Sequence, residues 1–599
     1  MAEEKQAEKS VGTELKMLRR QAEDGVLKAQ YLLAVKLASG DGVEADPTEA
    51  EKWYRKVAKR DFAPAMNNLA LLYAGEALGE PNPKQAVKWF RKAADLGCSL
   101  AQWNLARHLQ SGEGVTADEE EAIEWTKKAA EQGVAAAQNN VGIFWSEGRG
   151  MEADETKAVE WFRKAAEQDQ PQAQFNLAVR LRDGRGSEID LDAAREFFLK
   201  AAERGMVDAQ FALAKMCAKG EGEDQDEQSA TKWYRKAAEQ NHAMAQYNLA
   251  QRLAEGLGAK EDQAEALEWY GKAAENKCVM AQYDLGRNLL EGEAETNSGA
   301  KAVNWLKQAA NTDHTEAQYL LGRTFDEGIG IDHDPAEATK WFRKAAEGGM
   351  AEAQFLLAVS LERGEGCATN LEEAANWYTL AAEQGHASAQ FNLAGMYARG
   401  RGIMANDKKA VYYFELAAEQ AVASAQCNLG AMYEQGRGVE QNFSSAMRWY
   451  ELAADQGLCR AQYNLAVMLH AGRGVDADLK EAVVWYRQAA KGGHAAAQYT
   501  LASLFLHGEG VEEEDEVEAT KWFKLAAEQD VPEAQLILAD CYLRGRGVPE
   551  DFVLAYVWFN RASSHGLDIA EKNKRHTARC MTPEQIAQAQ EISRIHLAA

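Results

Sequence analysis

One dipeptide constrains this chain more than any other feature. Ala-Gln begins at Ala29, Ala101, Ala137, Ala173, Ala209, Ala245, Ala281, Ala317, Ala353, Ala389, Ala425, Ala461 and Ala497. Ala65, followed by Met66, and Ala534 complete the series, in which every interval is 36 residues except the last, of 37. In the same register, 24 residues on, stand Trp53, Trp89, Trp125, Trp161, Trp233, Trp269, Trp305, Trp341, Trp377, Trp449, Trp485, Trp522 and Trp558, with Phe197 and Tyr413 in the two gaps. Thirteen of the 15 tryptophans thus occupy one place in a repeating unit. A period of this length means an array of small modules, each unable to bury its apolar face alone.

Each of the fifteen modules reads as two helices. Ala461, Leu465 and Leu469 lie four apart, one stripe of a helix at 3.6 residues per turn. Gly472, Arg473 and Gly474 then end it, because glycine accepts the left-handed conformation that closes a helix. Asp478 opens the second helix as a cap, as do Asp46, Asn82, Asp118, Ser298 and Asn442 in their modules. Pro47, Pro83 and Pro335 follow at the first helical position, where a missing N–H costs nothing. Glu49, Gln85, Glu121 and Glu481 stand three residues after their caps and predict reciprocal capping boxes. The extra residue of the 37-residue interval falls in the loop from Gly508 to Asp515, which keeps both helices in register. Small residues, such as Ala50 and Ala374 before the tryptophan and Ala34 or Gly142 after the first-helix leucine, let neighbouring helices approach closely.

The expected fold is all-α: a right-handed α/α superhelical solenoid of fifteen two-helix repeats. The expected boundaries are a disordered start and capping helix over 1–25, the array over 26–566 and capping helices over 567–599. Met17 holds the tryptophan position of a leading half-unit. Near the other end Lys574 stands where leucine belongs, and Thr582-Pro583 starts a last helix to about Leu597, giving the terminal unit a polar outer face.

Charge and composition narrow the function. A formal charge of −26 argues against general electrostatic binding to nucleic acid or anionic lipid. No apolar run reaches the ~18 residues of a membrane-spanning helix, and the N-terminal segment lacks a secretory pattern, so a cytoplasmic location is expected. Cys98, Cys217, Cys278, Cys367, Cys427, Cys459, Cys541 and Cys580 form no CxxC and no repeated pairing, as free thiols do. Cys98 and Cys278 share one module position with His242, His314, His386 and His494, but also with Val134, Met206 and Leu458, an interchange that a metal or catalytic site would not tolerate. The glycine pairs follow helices rather than strands and read as turns, not phosphate loops. The glutamine beside each alanine reads as a hydrogen-bonded tie between units. No cofactor, metal or catalytic residue is expected, and the chain is not expected to be an enzyme.

The unit AxAQYNLAxMYxxGRGVxxDxxxAxxWYxKAAEQGHA, matched nearly throughout by Ala389–Ala425 and Ala461–Ala497, resembles the Sel-one-like repeat, a relative of the tetratricopeptide repeat. The resemblance extends over about residues 13–582. The tail, AYVWFNRASSHG and then MTPEQIAQAQ, is similar to the closing segment of bacterial members. It implies an adaptor or scaffold that binds partner proteins or peptides along the concave groove, as a monomer or weak oligomer. Two alternatives accompany it: an adaptor delivered into a host cell, and the cell-wall or β-lactamase-like role credited to cysteine-rich relatives. That branch places cysteines where this chain has Ala94 and Gln102, so its activity is not carried over.

A binding surface is expected three, six, seven and ten residues after each alanine, on the first-helix face that the resemblance assigns to the groove. The asparagines at the first of these places, among them Asn248, Asn392 and Asn464, offer donors and acceptors to a peptide backbone. The next two places carry Arg107, His108, Arg180, Lys215, Arg252, Arg287 and Arg323, a basic stripe, followed by Met396, Met432 and Met468, an adaptable apolar stretch. Asp183, Glu255, Glu291 and Glu327, one turn later, are candidates to neutralise those arginines along the helix.

Overall fold

The computed structural model describes residues 15–291 and 298–598, and all regular structure among them is helical. The chain divides after Leu285 into two compact units, each built of helical hairpins stacked on one another in chain order. A typical repeat pairs a first helix, Ala387–Arg399, with a second, Asp407–Glu419. The core of each unit is a run of buried alanines, leucines and aromatic rings contributed by consecutive repeats, such as Leu357, Tyr378, Leu393 and Phe414.

The local chemistry follows the sequence closely. Asp46, Asn82, Asp118, Asn442 and Asp478 each accept a hydrogen bond from the backbone N–H three residues on. The side chain of Ser298 lies outside the described residues. The reciprocal half of the predicted capping boxes is corrected. The side chains of Glu49 and Glu121 turn forward and accept from the indole N–H of Trp53 (3.2 Å) and Trp125 (3.0 Å) instead of returning to the cap. A reciprocal box forms at the last helix, where the Gln585 N–H donates to Thr582 Oγ1 and the Thr582 N–H donates to Gln585 Oε1. That helix spans Pro583–Ala598.

Two long-range ties join the repeats. The glutamine after each alanine donates to a carbonyl at the end of the preceding second helix, as Gln102 does to Ala94 (3.3 Å) and Gln246 to Ala238 (3.1 Å). In several repeats its own oxygen accepts from a glutamine thirty residues ahead, as Gln102 Oε1 does from Gln132 at 2.7 Å, and Gln246 Oε1 accepts from Asn276 in the same way. Arg204 stands where that donor belongs for Gln174, and His565 for Gln535; Oε1 of both Gln174 and Gln535 is buried without a partner. Arg204 is instead spent on a solvent-exposed pair with Asp169. Replacing Arg204 by glutamine should therefore stabilise the fold by about 1 kcal/mol, seen as a higher unfolding midpoint in urea. An unchanged or lower midpoint would contradict the ladder.

The second tie is a clamp between successive second helices. Arg91 is bidentate to Glu121, with one bond of 2.9 Å, and Arg235 is likewise bidentate to Glu265. The arginine holds the carboxyls of Glu121 and Glu265 below the usual carboxylate range. Arg19, two residues after Met17, makes the same bond to Glu49 at 2.6 Å, so the leading helix packs in repeat register.

The interchangeable histidines are helix caps. Nδ1 of His242, His314, His386 and His494 accepts from the N–H three residues on at 3.1–3.2 Å. The rings of His242 and His494 stack on Phe211 and Tyr463. Burial lowers the pKa of both, against the attraction of Asp208 at His242 and with the help of Arg460 at His494. An accepting Nδ1 must be unprotonated. As pH falls below the unfolded value of about 6.5, the unfolded chain gains protons that the folded caps refuse, so stability declines. The double variant His242→Asn/His494→Asn should lose less stability than the parent between pH 7.5 and pH 5.5. Equal losses would count against the capping role.

Candidate partner-binding surface

The first helices present a column of outward side chains six residues after each alanine. In the unit ending at Leu285 this column includes Leu71, Arg107, Ile143, Val179 and Lys215, of which Leu71, Arg107 and Lys215 are exposed. Arg107 and Leu71 share a depression of about 490 Å³ with Asn104 and His108. Among the described residues neither Arg107 nor Lys215 forms an ion pair; Lys215 lies 5.9 Å from the centre of the Phe211 ring. In the unit from Gly286 on, Arg323 is partly exposed and pairs with Glu327 one turn later. The half-buried Arg287 holds the same place in its repeat.

The column seven residues after the alanine is different, and here the expectation is corrected. Met396, Met432 and Met468 are 3%, 4% and 0% exposed and belong to the core, so they line no groove. Arg180 and Arg252 occupy the same buried column. Arg252, 8% exposed, donates from Nε to Thr231 Oγ1 at 2.7 Å and from Nη2 to the Glu227 backbone oxygen at 3.1 Å and to its carboxylate. Arg180 lies over the Phe162 ring and bonds Ser146 at 2.8 Å and Glu155 at 3.4 Å. Burial lowers the pKa of both guanidiniums. One step along an α-helix turns a side chain by about 100°, enough to pass from the open face to the seam with the preceding repeat. The direct ion-pair partners of these arginines are accordingly Glu155 and Glu227 of the preceding repeat, while Asp183 and Glu255 of their own helix act on them from further away.

The asparagines are half-buried and partly engaged. Asn248 donates to the Met244 carbonyl at 2.6 Å and Asn392 to the Tyr378 hydroxyl at 3.1 Å, while Asn464 approaches Cys427 Sγ at 3.9 Å. Asn104 and Asn176 reach back to Asn67 and Asn139 of the preceding repeats. They tie first helices together as well as facing outward.

No group of three or more metal-ligating side chains is found among the described residues. All eight cysteines are free. Among the described residues no helix is long and apolar enough to cross a membrane.

Stacked two-helix modules with a variable outward column define the class of α/α repeat proteins. The Sel1 repeat model matches fifteen consecutive segments from 27–62 to 532–567, and the chain belongs to the Sel1 repeat family. Members of that family typically act as protein–protein interaction scaffolds and are typically non-catalytic. Among solved structures, c5321, described as a protective antigen of uropathogenic Escherichia coli strains with an SLR fold, is 29% identical over 86% of this chain and 94% of its own, with a TM-score of 0.39. A Sel1 repeat protein from Oxalobacter formigenes is 31% identical over 53% of this chain and 92% of its own, with a TM-score of 0.46. No curated protein matches the chain.

Proposed function

We propose that this protein is a non-catalytic scaffold that holds partner proteins against the outward column of its first helices. The observation that carries the reading is the contrast between two adjacent columns. The inner one is enclosed against the preceding repeat whether it carries Phe144, Met216 or Arg252, whereas the outer one leaves Leu71, Arg107 and Lys215 exposed. Enclosed positions build the array, and exposed ones are open to recognition. Arg107 and Lys215, exposed and without ion pairs among the described residues, interleaved with aliphatic side chains, suit a partner that offers carboxylates among apolar groups.

Arg323 is paired along its own helix, so a partner carboxylate would have to compete with Glu327 for it. The double reversal Arg107→Glu/Lys215→Glu tests the reading. The variant should melt like the parent yet lose partners that the tagged full chain captures from its native lysate. Capture of the same partners in the same amounts would contradict it.

A further inference from the structure

Among the described residues, the clamp between second helices forms at each junction where arginine stands two residues after the ring position and glutamate thirty residues beyond it. These pairs are Arg19–Glu49, Arg91–Glu121, Arg235–Glu265 and Arg343–Glu373. Arg487 and Glu518 hold the same two places in repeats 13 and 14, but 31 residues apart, because the loop between Gly508 and Asp515 is one residue longer. There the clamp is not made. Glu518 accepts from the Trp522 indole at 3.0 Å and pairs with Lys521 at 3.1 Å, while the Arg487 guanidinium lies 5.4 Å from the centre of the Phe505 ring.

Between the released arginine and the lengthened loop lies a cleft of about 930 Å³, against about 310 Å³ at the equivalent place beside the clamped Arg235. Lys480 and Lys491 flank Arg487 on one wall, and among the described residues none of the three forms an ion pair. Val484, 53% exposed, and Val511 give the cleft apolar surface. Glu512 and Glu513 form the opposite wall.

We propose that this cleft is a docking site for a segment of a partner protein in which one acidic side chain is flanked by aliphatic ones. The carboxylate takes the place of Glu518 on Arg487, whose planar fork suits bidentate pairing. The aliphatic side chains cover Val484 and Val511. Glu512 and Glu513 repel a second acid and favour a basic residue at the far end of the segment, which gives the cleft selectivity as well as attraction. The proposal rests on the scaffold reading but uses residues off the first-helix face.

The test is fluorescence anisotropy of the full chain with labelled ten-residue synthetic peptides. One carries a central glutamate between leucines and a terminal lysine; the other has glutamine for the glutamate. The glutamate peptide should bind at least tenfold more tightly. Arg487→Glu and the milder Arg487→Gln should each weaken it at least tenfold. Arg235→Glu, at the equivalent clamped place, should leave binding unchanged, and circular dichroism melts establish that each variant is folded. Equal binding of both peptides, or binding of neither, would overturn the cleft. The scaffold reading stands or falls separately, on partner capture by the Arg107→Glu/Lys215→Glu variant.

Discussion

Trp341→Ala should destabilise its repeat by roughly 3–5 kcal/mol, the scale on which a buried indole is lost. The ring is 4% exposed, and the Lys344 ammonium lies 4.3 Å from its centre. Its indole N–H is buried without a partner; Glu337, whose equivalents accept from this indole in other repeats, pairs with Lys340 at 2.9 Å. What the ring contributes is therefore volume and apolar area rather than a hydrogen bond, and Trp341→Phe should cost much less than Trp341→Ala. In an array held by nearest-neighbour contacts the damage should also be local. Hydrogen exchange should quicken within residues 315–386 and stay unchanged over 27–278. A uniform loss of protection along the chain would contradict local packing.

Arg252→Glu should destabilise by about 3–5 kcal/mol, because it replaces a buried, fully engaged guanidinium with an anion facing Glu227. Arg252→Met, which keeps the stem and removes the charge, should cost less. The measurement is urea unfolding of each variant. An unfolding midpoint for Arg252→Glu equal to the parent's would mean that the side chain is not buried in the seam. The contrast with Lys215 is direct: the same reversal at that exposed residue should leave the midpoint nearly unchanged.

These two expectations mark how far the sequence can be read. Spacing alone was enough to place Ala461, Leu465 and Leu469 on one buried stripe and Asp478 at a helix start, because those features depend on residues within a few turns of each other. The tie made by Gln102 was legible from its regularity. The face of the seventh position was not. Arg180 and Arg252 look like surface residues by type, and only the placement of Glu155 and Glu227 on the preceding repeat shows that they are enclosed. Methionine at Met396, Met432 and Met468 suits a core as readily as a groove, so composition left the choice to the packing. The Arg91–Glu121 clamp carried a signal in the sequence, an arginine and a glutamate thirty residues apart in register, but its meaning depends on two second helices lying side by side. The cleft beside Arg487 was visible only as one extra loop residue; that Arg487 and Glu518 stay apart there is a property of the folded chain.

The central claim, that this protein acts by holding partners on particular faces of its repeats, is tested most directly by photo-crosslinking. A photoreactive amino acid is placed in turn at Arg107, Lys215, Val484, Lys88 and Glu160, all exposed, and each full-length variant is irradiated in its native lysate. The account predicts discrete crosslinked partners from Arg107 and Lys215 on the first-helix face and from Val484 in the cleft. Lys88 and Glu160, on second helices elsewhere, should yield none. Partners captured from Lys88 and Glu160 alone, or from no position, would contradict it.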